Sequence, residues 1–303
     1  MEGDTSNMNY PNPTPQTRDS RPETPDAGPQ TQNQTPMKQT LLFIVAAMLA
    51  TATATAQDWA RARLEKSPRH QEYVNVKHGD REVNCFVTYP EVKDKATAVV
   101  VIHEIFGLTD WARSVTDELA AAGYIAIAPD LLWGSAPGGG GTTELIKGGN
   151  EVGQAIRKLP PGQITADLDA VADYVAKLPS CNGKVVVIGF CWGGGQAFRF
   201  ATDNQNLKAA LVFYGAGPDK AEDIARIHCP VYGFYGGNDN RVTATLPKTA
   251  GLMKDAGKTY EPVTYEGAGH GFMRAGEAPD ATAANKKARD DAWKRLTDLL
   301  AKI

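Results

Sequence analysis

A sulfur nucleophile is the first chemistry this chain suggests. Cys191 stands in Gly189-Phe190-Cys191-Trp192-Gly193, directly after the apolar run Lys184-Val185-Val186-Val187-Ile188 and before a stretch that reads as a helix from Trp192 to about Asp203. A reactive residue flanked by glycines at a strand-to-helix turn is the pattern of a nucleophile elbow. The turn is so sharp that its backbone is strained and bulky neighbours would clash. The helix that follows aims its first N–H groups at the reactive atom.

Two further residues complete a catalytic set in chain order. Asp239 lies in Gly236-Gly237-Asn238-Asp239, past the strand Val231–Tyr235. His270 lies in Gly267-Ala268-Gly269-His270-Gly271-Phe272, past the strand Glu261–Tyr265. Nucleophile, acid, histidine is the triad order of α/β-hydrolases. His270 would accept the thiol proton and return it to the leaving group, and Asp239 would orient the imidazole and stabilise its charged form. Each residue alone has a plainer reading: a small buried hydrophobe for Cys191, turn chemistry for Asp239, an ordinary loop residue for His270. Their order, with all three at strand ends, favours the catalytic reading. The backbone N–H groups of Trp192 and of Ile105, in His103-Glu104-Ile105-Phe106-Gly107 after the strand Ala98–Ile102, are the expected oxyanion-hole donors. The Trp192 side chain can be packing alone. Glu104 is either a surface carboxylate or a group that keeps the sulfur protonated at rest by like-charge repulsion. A resting thiol resists oxidation. His103 is read as structural.

The elements that must position these residues alternate. Val83–Tyr89 suits an early antiparallel strand, and Ala98–Ile102 a central strand covered on both faces. Ser114–Ala122 reads as a helix, Tyr124–Ala128 as a strand ended by Pro129, and Ala166–Leu178 as a helix with Leu168, Val171, Val175 and Leu178 inward. After the elbow come strands Ala209–Phe213, Val231–Tyr235 and Glu261–Tyr265, a helix near Leu246–Ala256, and a last helix carrying Trp293, Leu296, Leu300 and Ile303. Strands separated by helix-length segments imply an α/β-hydrolase fold, with a mostly parallel central sheet and helices on both faces. The Gly134–Pro161 segment is irregular and glycine-rich, either a mobile loop near the site or a surface excursion.

Composition narrows the partners. The 303 residues are 42% hydrophobic with a net charge of −3, and no Lys/Arg-rich patch stands out, so nucleic acid is not the expected partner. Residues 1–36, rich in Pro, Thr, Gln and Asn, read as a disordered extension. Residues 37–56 read as a signal peptide: Lys38, then the apolar Leu41–Ala50, then small residues ending Ala54-Thr55-Ala56. The apolar run is short for a membrane span, and its setting between polar stretches disfavours a buried core helix. Cleavage after Ala56 would leave Gln57 first and a periplasmic or secreted domain over 57–303 with no stable membrane anchor. Met37 is then the expected start of translation. The four cysteines (Cys85, Cys181, Cys191, Cys229) match no zinc or C-x-x-C spacing. With Cys191 reduced, at most one disulfide joins the other three.

Residues 73–303 resemble the dienelactone hydrolase family of α/β-hydrolases. The resemblance rests on His103-Glu104-Ile105-Phe106-Gly107-Leu108, Ala128-Pro129-Asp130-Leu131, Gly189-Phe190-Cys191-Trp192-Gly193-Gly194, Asp239 in its loop, and Gly269-His270-Gly271-Phe272. It implies a carboxylic ester hydrolase of the carboxymethylenebutenolidase type, which opens the lactone of dienelactone to maleylacetate without a metal or organic cofactor. It implies Cys191 as nucleophile, His270 as base, Asp239 as its partner, and Glu104 as the carboxylate that holds, then activates, the resting thiol. It also implies Arg274 as the residue that binds the substrate carboxylate, by a bidentate pair; otherwise Arg274 is a solvated loop residue. No second basic residue stands in a matching motif, the Gly134–Pro161 stretch offering only Lys147, Arg157 and Lys158. A small-molecule ester or lactone is thus the expected substrate. The alternatives are thioesterase or peptidase chemistry on the same triad, or a non-catalytic binding protein with this fold.

Overall fold

The computed structural model describes residues 57–149 and 151–303. The expected extension over 1–36 and signal peptide over 37–56 lie outside the described residues. The chain begins with helix α1 (Asp58–Glu65) and strands β1 (Gln71–His78), β2 (Arg81–Thr88) and β3 (Ala96–Ile102). Helix α2 (Asp110–Ala121), strand β4 (Ile125–Pro129), short helices α3 (Thr142–Lys147) and α4 (Val152–Arg157) and the long α5 (Pro161–Ala176) follow. Then come β5 (Cys181–Phe190), α6 (Trp192–Asp203), β6 (Ala209–Phe213), α7 (Ala221–Ala225), β7 (Val231–Gly236), α8 (Asn240–Thr243) and α9 (Leu246–Asp255). The last elements are β8 (Tyr260–Tyr265), α10 (Phe272–Ala275) and α11 (Ala283–Leu300).

One eight-stranded sheet runs β1-β2-β4-β3-β5-β6-β7-β8. The pairs β1–β2 and β2–β4 are antiparallel, and all later pairs are parallel. Every side chain of β3 is buried, because its Val- and Ile-rich run is covered from both sides. The pleat sends alternate residues to opposite faces. Ala98, Val100 and Ile102 meet Leu168 and Val171 of α5 and Ala197 and Phe198 of α6 in one core layer. Val99 and Val101 meet Trp111, Val115 and Leu119 of α2 and Leu296 and Leu300 of α11 in the other. Each of the Val, Leu, Ile and Phe side chains among them contributes about 1.5–3 kcal/mol on burial.

Several boundaries differ from the sequence reading for identifiable reasons. Helix α2 starts four residues before Ser114, where the Thr109 hydroxyl accepts from the Ala112 N–H at 3.4 Å and acts as the N-cap. Helix α5 starts at Pro161, a residue suited to the first helical turn because its missing N–H would have no partner there. The irregular Gly134–Pro161 stretch holds α3 and α4, whose Leu145, Val152 and Ile156 form a small apolar cluster with Leu132 and Ala136 against Ile105 and Trp192. It is therefore a folded excursion seated on the site. All four cysteines are free thiols, Cys85, Cys181 and Cys229 being buried.

The topology places the site. From β3 the chain moves to β4 on one side and later to β5 on the other, so the strand order reverses between β3 and β5. Ligands of open α/β sheets bind at the carboxyl ends of strands at such a switch point. Ile102 pairs with Gly189, which brings the His103–Gly107 turn beside the Cys191 elbow.

Candidate active site

Cys191 occupies a backbone conformation that side chains rarely adopt, with φ 56° and ψ −117°. Tight packing holds it there. The Cys191 N–H donates to the Phe213 carbonyl of β6 at 3.0 Å, and the Cys191 carbonyl accepts from Gly194 N–H at 3.0 Å and from Gly195 N–H at 3.3 Å. A Cβ on Gly189 would lie 2.0 Å from the Gly193 carbonyl oxygen, and one on Gly193 would lie 2.4 Å from the Ile102 and His103 oxygens. The flanking glycines thus let strand, elbow and helix close on one another. Trp192, first residue of α6, presents an N–H that has no acceptor within the helix.

The other two expected residues arrive on neighbouring strand ends. Asp239 is 6% exposed and caps α8 just beyond β7, its N–H bonded to Gly236 O at 3.1 Å. His270 follows β8 in a loop fixed where the Asn285 side chain accepts from Gly269 N–H at 3.0 Å. The His270 Nδ1–H donates to Asp239 Oδ2 at 2.5 Å. Of the influences on the imidazole, the neighbouring Cys191 thiol is the largest: with Asp239 it raises the His270 pKa above the ordinary imidazole value in spite of burial. The Tyr214 ring stands edge-on to His270 at 5.1 Å. The structure therefore pairs His270 with Asp239 and sets the imidazole next to Cys191.

Glu104 and Arg274 meet each other. The Glu104 carboxylate, 3% exposed, accepts from Arg274 Nε at 2.7 Å. Burial pushes the Glu104 carboxyl above its ordinary range, against the opposing pull of Arg274. The guanidinium lies over the Phe106 ring, 5.1 Å from its centre. Glu104 is thus a buried partner of Arg274 rather than a surface carboxylate, and Arg274 is a paired side chain rather than a solvated one.

A cavity of about 570 Å³ opens over the sulfur, lined by Ile105, Cys191, Trp192, Tyr214, Arg157 and Arg241 among others. Arg274 is not among its lining residues. Sequence reasoning noted Arg157 without assigning it and passed over Arg241 and Tyr214. The available signal was position: Tyr214 follows β6 and Arg241 follows Asp239, both at the carboxyl edge. Tyr214 is held at φ 40°, and its buried hydroxyl has no hydrogen-bond partner among the described residues. No group of three or more His, Cys, Asp or Glu side chains suited to a metal ion occurs among the described residues.

Comparison with known proteins agrees with this fold. The family model described as "Dienelactone hydrolase family" matches residues 83–303. A curated protein of Escherichia coli strain K12, named "Putative carboxymethylenebutenolidase", is 32% identical over 66% of this chain and 74% of its own. One of the same name from Saccharolobus solfataricus is 30% identical over 73% of this chain and 95% of its own. Among solved structures, "Putative Dienelactone Hydrolase" from Klebsiella pneumoniae superposes with a TM-score of 0.65 at 25% identity, covering 78% of this chain and 99% of that one. A "Dienelactone Hydrolase-like" phosphotriesterase from metagenomic libraries shares the fold at 23% identity with a TM-score of 0.63, over 77% and 98% of the two chains. With its mostly parallel sheet and its match over nearly three quarters of its length, this chain belongs to the dienelactone hydrolase family and is a hydrolase of that type.

Proposed function

We propose that the protein hydrolyses a carboxylic ester or lactone through Cys191, His270 and Asp239. The observation that carries this reading is the His270–Asp239 hydrogen bond at 2.5 Å next to the strained Cys191 elbow. His270 takes the thiol proton as Cys191 Sγ attacks the carbonyl carbon. The oxyanion of the tetrahedral intermediate sits against the Ile105 and Trp192 N–H groups. His270 then gives its proton to the leaving alkoxide oxygen, and the acyl group remains on sulfur as a thioester. Water, deprotonated by His270, cleaves the thioester and restores the thiol. No metal or organic cofactor enters these steps.

The cationic side chains favour an acid-bearing substrate. At rest Arg274 is held by Glu104. A substrate carboxylate on Arg274 would release Glu104, which then loses the guanidinium's opposing pull and becomes a stronger base. Arg157 and Arg241 present further positive charge at the cavity, where no acidic residue lines the wall. A panel of aryl esters, lactones, thioesters and peptides, with and without a free carboxylate, tests this against Cys191→Ala. Ester or lactone turnover lost in that variant supports the reading. Unchanged turnover overturns it, and preference for thioesters or peptides redirects it.

Export is proposed with it. The pattern of residues 37–56 supports cleavage after Ala56. Mass spectrometry of the expressed protein should give Gln57 as the first residue; an intact 37–56 segment in the exported protein contradicts it.

A further inference from the structure

His103 is a fully buried titratable group at the site that the triad does not use. It is 0% exposed, and burial lowers its pKa, so the ring is neutral. Its Nδ1 lies 2.8 Å from the Glu104 carbonyl oxygen. A carbonyl only accepts, so Nδ1 carries the hydrogen. Nε2 is then a bare lone pair, and it has no partner among the described residues. An unsatisfied buried polar atom is unfavourable by about 1–3 kcal/mol. An apolar residue of similar size would avoid that penalty, so packing alone does not account for a histidine here.

What the ring controls is one peptide plane. The Glu104 carbonyl and the Ile105 N–H belong to the same peptide, and in a trans peptide the two point in opposite directions. The Glu104 oxygen accepts twice, from His103 Nδ1 at 2.8 Å and from the Gly107 N–H at 3.1 Å. Both bonds pull the oxygen to one side of the turn and so turn the Ile105 N–H to the other, and Ile105 lines the Cys191 cavity. The flat face of the imidazole meets the second donor's residue: the His103 and Trp192 rings stack at 5.6 Å, 17° from parallel. The close approach of Gly193 to the His103 carbonyl locks the same two segments together. One buried ring thus touches both halves of the expected oxyanion hole.

We propose that His103 is a positioning residue that sets the direction of the Ile105 N–H and its spacing from the Trp192 N–H. The inference rests on the hydrolytic reading above. It makes no contact with substrate, so its effect falls on transition-state stabilisation and leaves ground-state binding almost untouched.

The test compares His103→Asn, His103→Gln and His103→Ala with the parent and with Cys191→Ala, using p-nitrophenyl acetate. Asparagine places an N–H donor near the Nδ1 position, whereas glutamine places its amide near Nε2. His103→Ala and His103→Gln should lose about 10–100-fold in kcat, short of the 10²–10³-fold loss typical of deleting an oxyanion donor outright. Their KM should stay within about threefold, and His103→Asn should recover to within about threefold of the parent kcat. If His103→Ala does not fold, the contrast between the near-isosteric Asn and Gln variants decides. Unchanged kcat in folded Ala or Gln variants overturns the inference, as does an Asn variant no better than Gln or a loss confined to KM. Activity surviving in Cys191→Ala would instead sink the nucleophile assignment, and the role of His103 with it.

Discussion

His270 sits between a carboxylate and a thiol, and this fixes the sign of two pH effects. The imidazole must be neutral to take the thiol proton. Its ordinary value is about 6.5, and the contact with Cys191 raises it. The acid limb of kcat/KM should therefore have its midpoint above about 6.5, and a pH series placing it at or below that value contradicts the pairing. Stability runs the other way. With the folded value above the unfolded one, His270's contribution is fully present below about pH 6.5 and is lost as pH rises through the raised value. The thiols separate as cleanly. Burial pushes Cys85 far above the ordinary range and Cys229 up to about 11, while Cys191 opens to the cavity. A disulfide-exchange reagent should titrate one thiol in the native protein, none in Cys191→Ala, and four in the unfolded parent. More than one fast-reacting native thiol would contradict this picture.

Between elements, Asp130 is the knot. Its carboxylate accepts from Leu132 N–H at 3.1 Å, Thr142 N–H at 2.7 Å and the Thr142 hydroxyl at 2.8 Å, and that hydroxyl accepts from Leu108 N–H at 3.0 Å. The end of β4, the start of α3 and the Leu108 end of the oxyanion turn are thereby fastened together. Asp130→Ala strands several buried donors and should destabilise by about 2–4 kcal/mol; a denaturant midpoint equal to the parent's would refute it. The parts of the fold that could be read from the chain are those where burial writes a pattern. Strand β6 matched residue for residue because Ala209–Phe213 is buried throughout. Strand β1 went unread because it is a polar sheet-edge strand in which only Val76 is buried. Helices α3 and α4 are six residues each, too short to show a helical period. Cys191, Asp239 and His270 could be marked out in the chain because each follows a strand and has glycine close by. Arg241 and Arg157 were not, since only the folded excursion and the end of β7 bring them to one cavity.

Across the whole molecule, the two ends of the described chain are joined. Ala60 and Leu64 of α1 are buried in the core layer with Trp111 and Leu119 of α2 and with Leu296 and Leu300 of α11. Arg63 pairs with Glu277 at 2.9 Å, and Arg289 of α11 reaches both Glu277 and Glu118. Leu64→Ala should lower stability by about 2–4 kcal/mol yet leave kcat within twofold, because no α1 residue lines the cavity. A fall in kcat with unchanged melting would argue against that separation. The twist imposed at φ 56° on Cys191 has a different reach. Such backbone strain amounts to about 1–3 kcal/mol, and unfolding releases it. A glycine there would relieve it, offset by about 1 kcal/mol or less of extra chain freedom when unfolded. Cys191→Gly should melt above the parent: the residue proposed to do the chemistry is one the fold holds in an uncomfortable twist, and on that proposal a sturdier version of the protein would be a silent one.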